Sequence, residues 1–265
     1  MKQLNHMWYG LTLAFFLTLS VTGNTFTQEN RLPGTRQYSE VQKGDYQIGL
    51  LAPLRYRIST TMEMQTHPIL DFVIPNARLV WIHNTTRDRR IQTTHGFTYP
   101  TPLLRMISRK GTGGILPDDP TIPTIPAMVS LYNEIRVIQS SIPTLEYYFS
   151  AGLGLAGTFG TLDSRTTIDL PVVFPRMGVF YNGYNLNLGT GISWALSGKW
   201  VLKSDTKILL LPGYTEQFFW EHQGQVFWEF DKSWYMMFGY LLTYGNYPFG
   251  SQYHLLPLFD VGYQW

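Results

Sequence analysis

The chain has 265 residues, a formal net charge of +2, 14% charged residues and no cysteine. Soluble domains carry about 25% charged residues, and here no lysine- or arginine-rich stripe is present, so composition argues against a nucleic-acid partner. The missing thiols exclude disulfides, thiolate metal sites, cysteine nucleophiles and a lipoprotein acylation site. Aromatic residues reach 15% while mean hydropathy is only -0.09. That combination is foreign to a bundle of membrane helices and suits strands that place apolar residues at alternate positions.

In chain order, Lys2 followed by the apolar run Trp8 to Leu19 and the small-residue stretch Val21-Thr22-Gly23 predicts a signal peptide over residues 1–23, since the run is too short to span a bilayer as a helix. Residues 24–43 are polar, contain Pro33-Gly34 and are read as a flexible segment before the folded part. From Gly44 a period of two sets in, the mark of extended strand. Tyr46, Ile48, Leu50, Ala52, Leu54, Tyr56 and Ile58 share one face and Gln47, Arg55 and Arg57 the other, so one strand is expected from Gly44 to Ser59. Pro53 marks a bulge or break within it, because proline donates no ladder bond. Further strands are expected near Thr61–Ile74, from Ala77 to the Arg87/Asp88 turn, and over Ile91–Tyr99.

Residues 100–127 break the pattern with Pro102, Pro117, Pro120, Pro123, Pro126 and three glycines. A connection of that length is functional or disordered more often than not. Its Leu103-Leu104-Arg105-Met106-Ile107 run allows one amphipathic helical turn, and its apolar content favours a plug or cap over a solvated loop. Alternation returns through Val129–Val137, Leu145–Leu155, a strand carrying Ile168, Leu170, Val172 and Phe174, then Tyr184–Leu196, Trp200–Leu211, Gln217–Phe230 and Trp234–Gly245. A loop is expected over Asn246–Tyr253, and a last strand ends on Phe259, Val261, Tyr263 and Trp265. Large apolar residues on one face and glycine, asparagine or charge on the other make this an all-β chain, an antiparallel transmembrane β-barrel over residues 44–265 of about 12 strands (about 10–14). Counting back from Trp265 puts the long loop at the end of the barrel that carries the short turns. Either one hairpin is miscounted or the loop is an unusual inner plug.

The ending Tyr263-Gln264-Trp265 resembles that of bacterial outer-membrane β-barrel proteins, which close on an aromatic residue with another two before it; those families usually carry a glycine where this chain has Asp260. The resemblance implies location in the cell outer membrane, contact with its lipid, and recognition of Tyr263 and Trp265 by the barrel-assembly machinery. It carries no functional motif. The expected lumen lining is Arg55, Arg57, Glu134, Arg136, Glu146, Asn185 and Asn187, which serves either a charged path for a small-molecule solute or ion pairs across a filled interior. No catalytic, cofactor-binding or metal site is read from the sequence. His67, His83, His95, His222 and His254 lie on different strands, and His254 and Asp260 are about 20 Å apart along one of them. Three functions follow: a small pore, transport or structural barrel; an outer-membrane enzyme acting on lipid or lipopolysaccharide; and a secreted soluble β protein.

Overall fold

In the computed structural model the chain forms a closed antiparallel barrel in which each strand pairs with its sequence neighbours and β12 returns to β1. The residues described are 44–86, 88–108, 119–168, 170–197, 199–213, 215, 217–231, 233–248 and 250–265; the expected signal peptide and flexible segment lie outside them. The strands are β1 (Tyr46–Gly49), β2 (Leu54–Ser59), β3 (Met62–Thr66), β4 (Asn76–Thr85), β5 (Arg89–Thr98), β6 (Ala127–Ile142), β7 (Leu145–Phe159), β8 (Tyr184–Ser197), β9 (Trp200–Leu210), β10 (Phe218–Glu229), β11 (Trp234–Tyr247) and β12 (Gly250–Gln264). Among the described residues three α-helices interrupt them: α1 (Pro68–Asp71), α2 (Thr101–Ile107) and α3 (Val173–Asn182).

The count of twelve agrees with the sequence expectation through two differences that cancel. The single strand expected from Gly44 to Ser59 is a hairpin, β1 and β2, broken over residues 50–53. Pro53 and the Asp260 carboxylate, which accepts hydrogen bonds from the Leu51 and Ala52 amides at 2.9 and 3.2 Å, explain the break. The strand expected at Ile168–Phe174 is instead a connection leading into helix α3. With no strand at Ile168–Phe174, seven strands rather than eight follow the long loop, and the parity conflict counted back from Trp265 disappears. Turns 60–61, 86–88, 143–144, 198–199 and 230–233 share the end that holds Trp265, and the long connections 99–126 and 160–183 share the far end. The loop expected over Asn246–Tyr253 shrinks to a tight hairpin, with Tyr247 opposite Gly250.

Alternation sorts the side chains as a barrel requires. Along β10, Glu221, Gln223, Gln225, Phe227 and Glu229 are buried. Outward positions carry Leu131, Ile135, Phe149, Leu153, Leu188, Ile192 and Phe238, all exposed. At the Trp265 end, aromatic rings run across neighbouring strands. Tyr46 stacks on Tyr56 and on Trp265 at 4.7 and 5.1 Å, Trp234 meets Tyr263 at 4.9 Å, and Trp200 stacks on Trp228 at 5.6 Å. At the far end Tyr244 stacks on Tyr253 at 4.3 Å.

β10 and β11 leave no room for a side chain at Gly239. A Cβ on Gly239 would strike the Gly224 carbonyl oxygen and lie 3.1 Å from the Gln225 Cα, whereas one on Gly157 would meet nothing within 4 Å. Gly239→Ala therefore destabilises the barrel by about 1–3 kcal/mol through backbone overpacking, while Gly157→Ala stays within about 0.5 kcal/mol of the parent. Urea unfolding of the two variants in vesicles checks this; equal midpoints would contradict the close β10–β11 approach.

Candidate functional site

The barrel interior carries networks of hydrogen-bonded polar side chains. On β6, Arg136 donates to Glu134 at 2.9 Å, and the Tyr132 hydroxyl donates to the other Glu134 oxygen at 2.5 Å. The Arg136 guanidinium lies 4.3 Å from the centre of the Tyr148 ring. Tyr148 in turn donates to Asp205 on β9 at 2.6 Å, and Gln223 on β10 donates to the same carboxylate at 3.1 Å. A second group on β2 and β3 centres on Glu63, which accepts from Arg57 at 3.0 Å and Gln65 at 2.7 Å and lies 3.9 Å from Arg55. Nearer the Trp265 end, Glu146 takes Arg90 at 3.4 Å and Ser140 at 3.3 Å. On β8, Asn187 donates to Asn185 at 3.2 Å.

Burial decides what this interior can do. A water-filled channel would leave its polar lining wet. Arg136 and Gln92 are each 1% exposed, Asn187 3%, and Lys203 4%. The interior is shut in this conformation. Of the side chains singled out in the sequence, Arg55, Arg57, Glu134, Arg136, Asn185 and Asn187 are buried, and Glu146 keeps 27% of its side chain exposed.

The far mouth is apolar. Leu103, Leu104 and Ile107 of α2 pack with Met177, Val179 and Phe180 of α3 and with Ile74, Ile125, Met128 and Ile168. Beside them Phe174 of α3 meets Phe219 and Tyr247 of the wall, both at 5.7 Å between ring centres. The charged residue of α3, Arg176, reaches the wall through a bidentate ion pair with Glu221 on β10, at 2.6 and 2.7 Å, and its Nη1 also donates to the Val172 carbonyl at 2.8 Å. Val172 has φ 69, a conformation that holds a β-branched residue only against strain of about 1–3 kcal/mol. The Arg176 bond and complete burial of Val172 hold it there. Sequence reading missed α3. Its signals were Pro175 near the helix start and Gly183 just past its end, where φ is 85.

On the outside of the mouth, Arg165 ties the two long connections together. It bonds Asp163 at 2.7 Å, Asp119 at 3.3 Å and the Thr121 hydroxyl at 3.0 Å. The Arg165 side-chain bond, with its backbone amide, holds the Asp163 carboxyl down at about 2.

The histidines do not converge. His83 bonds Thr93 at 2.6 Å, His95 bonds Asn133 at 2.8 Å, and His222 bonds Thr206 at 3.0 Å and Tyr240 at 3.1 Å. The His254 ring packs on Tyr247. Among the described residues no group of three His, Cys, Asp or Glu is arranged to hold a metal ion.

No family model matches the chain, and no curated protein sequence does. Solved structures similar in shape include a KdgM porin in complex with disordered oligogalacturonate, with a TM-score of 0.40 and 8% identity over 83% of this chain and 95% of that one. A bacterial polysaccharide outer membrane secretin has a TM-score of 0.44 and 9% identity, over 83% and 69%. In-vitro folded OmpT, an outer membrane protein of Vibrio cholerae, has a TM-score of 0.45 and 9% identity, over 92% and 73%. At these values none of them lends a residue or an activity to this chain.

The Glu134–Arg136 pair is a buried ion pair, so removing one partner is the severe change. Arg136→Met leaves the Glu134 carboxylate buried without that guanidinium and destabilises by about 3–5 kcal/mol, whereas the double variant Glu134→Gln/Arg136→Met recovers most of the loss. Urea unfolding measures both; a double variant as unstable as the single would show that the pair is not the unit.

Proposed function

We propose that the protein is an outer-membrane β-barrel that transports a small solute and rests in a shut state, closed at its outward mouth by helices α2 and α3. The ring of exposed apolar side chains supports the membrane setting. A soluble β protein does not surround itself with so many outward leucine, isoleucine and phenylalanine side chains, so the secreted soluble reading is set aside. Strands β6 to β12 run from 11 to 16 residues, at least the ~9–11 needed to cross a bilayer. Short turns and the chain end then face the periplasm and the long connections face outward. The seam residues Tyr263 and Trp265 are the ending we assign to recognition by the assembly machinery.

The observation that carries the transport reading is the Arg176–Glu221 pair. A barrel that served only as a scaffold has no need to fasten a mouth helix to its wall by one buried ionic contact. Arg55, Arg57, Glu134, Arg136, Glu146, Asn185 and Asn187 are the groups we assign to the path below it. A path with both signs of charge at close quarters suits a polar solute that exchanges hydrogen bonds with the wall. Opening requires α3 to leave Glu221, so the shut and open states differ by that contact and by the apolar cluster.

Planar-bilayer recording of the chain from Asn24 to Trp265 tests this. The parent passes little current. Arg176→Met leaves Glu221 without its latch and raises the open fraction on the order of a hundredfold, and removal of residues 102–124 does the same by taking away α2. Silence from both variants, each shown to be folded by its gel mobility, would sink the plug and with it the transport reading.

A further inference from the structure

The barrel wall is not equally high all round. β1 pairs with β12 at Gln47–Gln264, Ile48–Tyr263 and Gly49–Gly262, with further backbone bonds between Tyr46 and Trp265 and from the Leu50 amide to the Val261 carbonyl. There the chain leaves the wall. Residues 50–53 tuck over Asp260, whose carboxylate takes the Leu51 and Ala52 amides at 2.9 and 3.2 Å. β2 and β3 are also short, ending at Leu54 and Thr66, while β12 continues to Gly250 with β11 beside it throughout. From Phe259 to Tyr253 no described strand pairs with the outer edge of β12. By strand alternation the backbone groups turned to that edge belong to Phe259, Pro257, Leu255 and Tyr253. From Phe259 to Tyr253 the gap runs about 20 Å along the strand, starting close above the Trp265 girdle and therefore at lipid depth.

Two features say what the gap is for. Pro257 sits in the middle of the open edge and offers no amide to a pairing strand, the device by which edges are kept from pairing. The rim is apolar: Leu50 is 60% exposed, Phe72 88%, Tyr253 72% and Leu255 66%. A pure hydrocarbon on this edge would leave backbone amides without hydrogen bonds, which lipid does not tolerate. A wholly polar solute would lie against the apolar rim. A molecule with both kinds of surface meets both demands. His67, 8% exposed, follows β3 beside the Leu51 backbone, and its Nδ1 is buried with no hydrogen-bond partner among the described residues.

We propose that this gap is a lateral portal through which an amphipathic lipid of the outer leaflet reaches the barrel interior, its polar part on the β12 edge and His67 and its chain along the rim. The portal lies below the α2–α3 mouth, so the interior has a sideways entrance while the axial one is shut. The inference rests on the membrane setting proposed above. It extends the transported class from small polar solutes to the head-and-chain junction of a lipid.

The test uses the chain from Asn24 to Trp265 in vesicles containing a phospholipid with a photoreactive diazirine in its acyl chain, followed by mass-spectrometric mapping of the labelled residues. Leu131, outward on β6, reports membrane embedding, and Leu241, inward behind a fully paired wall and 1% exposed, reports the closed interior. The portal predicts label on the inward Leu256 and Leu258 within about threefold of the outward Leu255 and at least about tenfold above Leu241. Label on Leu131 and Leu255 with none on Leu256 and Leu258 overturns the portal and leaves the membrane setting intact. Equal label on Leu241 also overturns it, since the route would then be the mouth. An unlabelled Leu131 removes the membrane setting and the portal together.

Discussion

Everything in this barrel depends on closing the sheet between its first and last strands. The join is small. Tyr46 and Trp265 exchange backbone hydrogen bonds at 3.0 and 3.1 Å, their rings stack, and three register pairs follow before β1 ends. Asp260 extends the join by substituting a carboxylate for a strand, holding the departing chain by its amides. Gly49 and Gly262 face each other in the register beside it. A side chain on Gly49 would strike the Asp260 carboxylate, and one on Gly262 the Tyr235 ring. Glycine is therefore dictated at the seam by the aspartate and the tyrosine that fill it.

Much of the barrel was legible because a period of two is the one pattern a two-faced strand cannot hide. Arg55, Arg57, Glu134 and Arg136 fall on one face of their strands in the sequence and are buried together in the fold. The errors came where that pattern is short. Ile168, Leu170, Val172 and Phe174 alternate by chance over seven residues, and the helix that follows announces itself only by Pro175 and Gly183. Between Tyr46 and Ile58 the apolar alternation of the sequence runs unbroken across residues 50–53, yet burial does not follow it there. Leu50 and Ala52 share a face in the pattern, but Leu50 is 60% exposed and Ala52 8%. A period of two in the sequence is no proof of a strand.

The candidate site was less legible for a different reason. Arg176 and Glu221 are 45 residues apart, and neither neighbourhood marks them as partners. Glu221 reads as one more inward polar residue, and Arg176 lies in a segment misread as strand. Tertiary pairings of this kind leave no local trace, whereas the Glu134–Arg136 pair, two residues apart on one strand, does. The interior thus divides into contacts written along a strand and contacts between distant elements, among them the Arg176–Glu221 pair at the mouth.

The high and low parts of the wall belong to the same design. Where the strands are long, from β6 to β12, the interior is sealed by ion pairs and by the aromatic cluster of Phe174, Phe219 and Tyr247. Where they are short, from β1 to β3, the chain cannot seal the wall with strand, and it places α1, the 50–53 connection and Phe72 there instead. The Leu103 amide bonds the Val73 carbonyl at 3.0 Å, joining the α1 connection to helix α2 of the mouth. The low wall and the plug are therefore mechanically continuous. On the reading proposed above, a displacement of α2 would act through that bond on the segment bordering the gap.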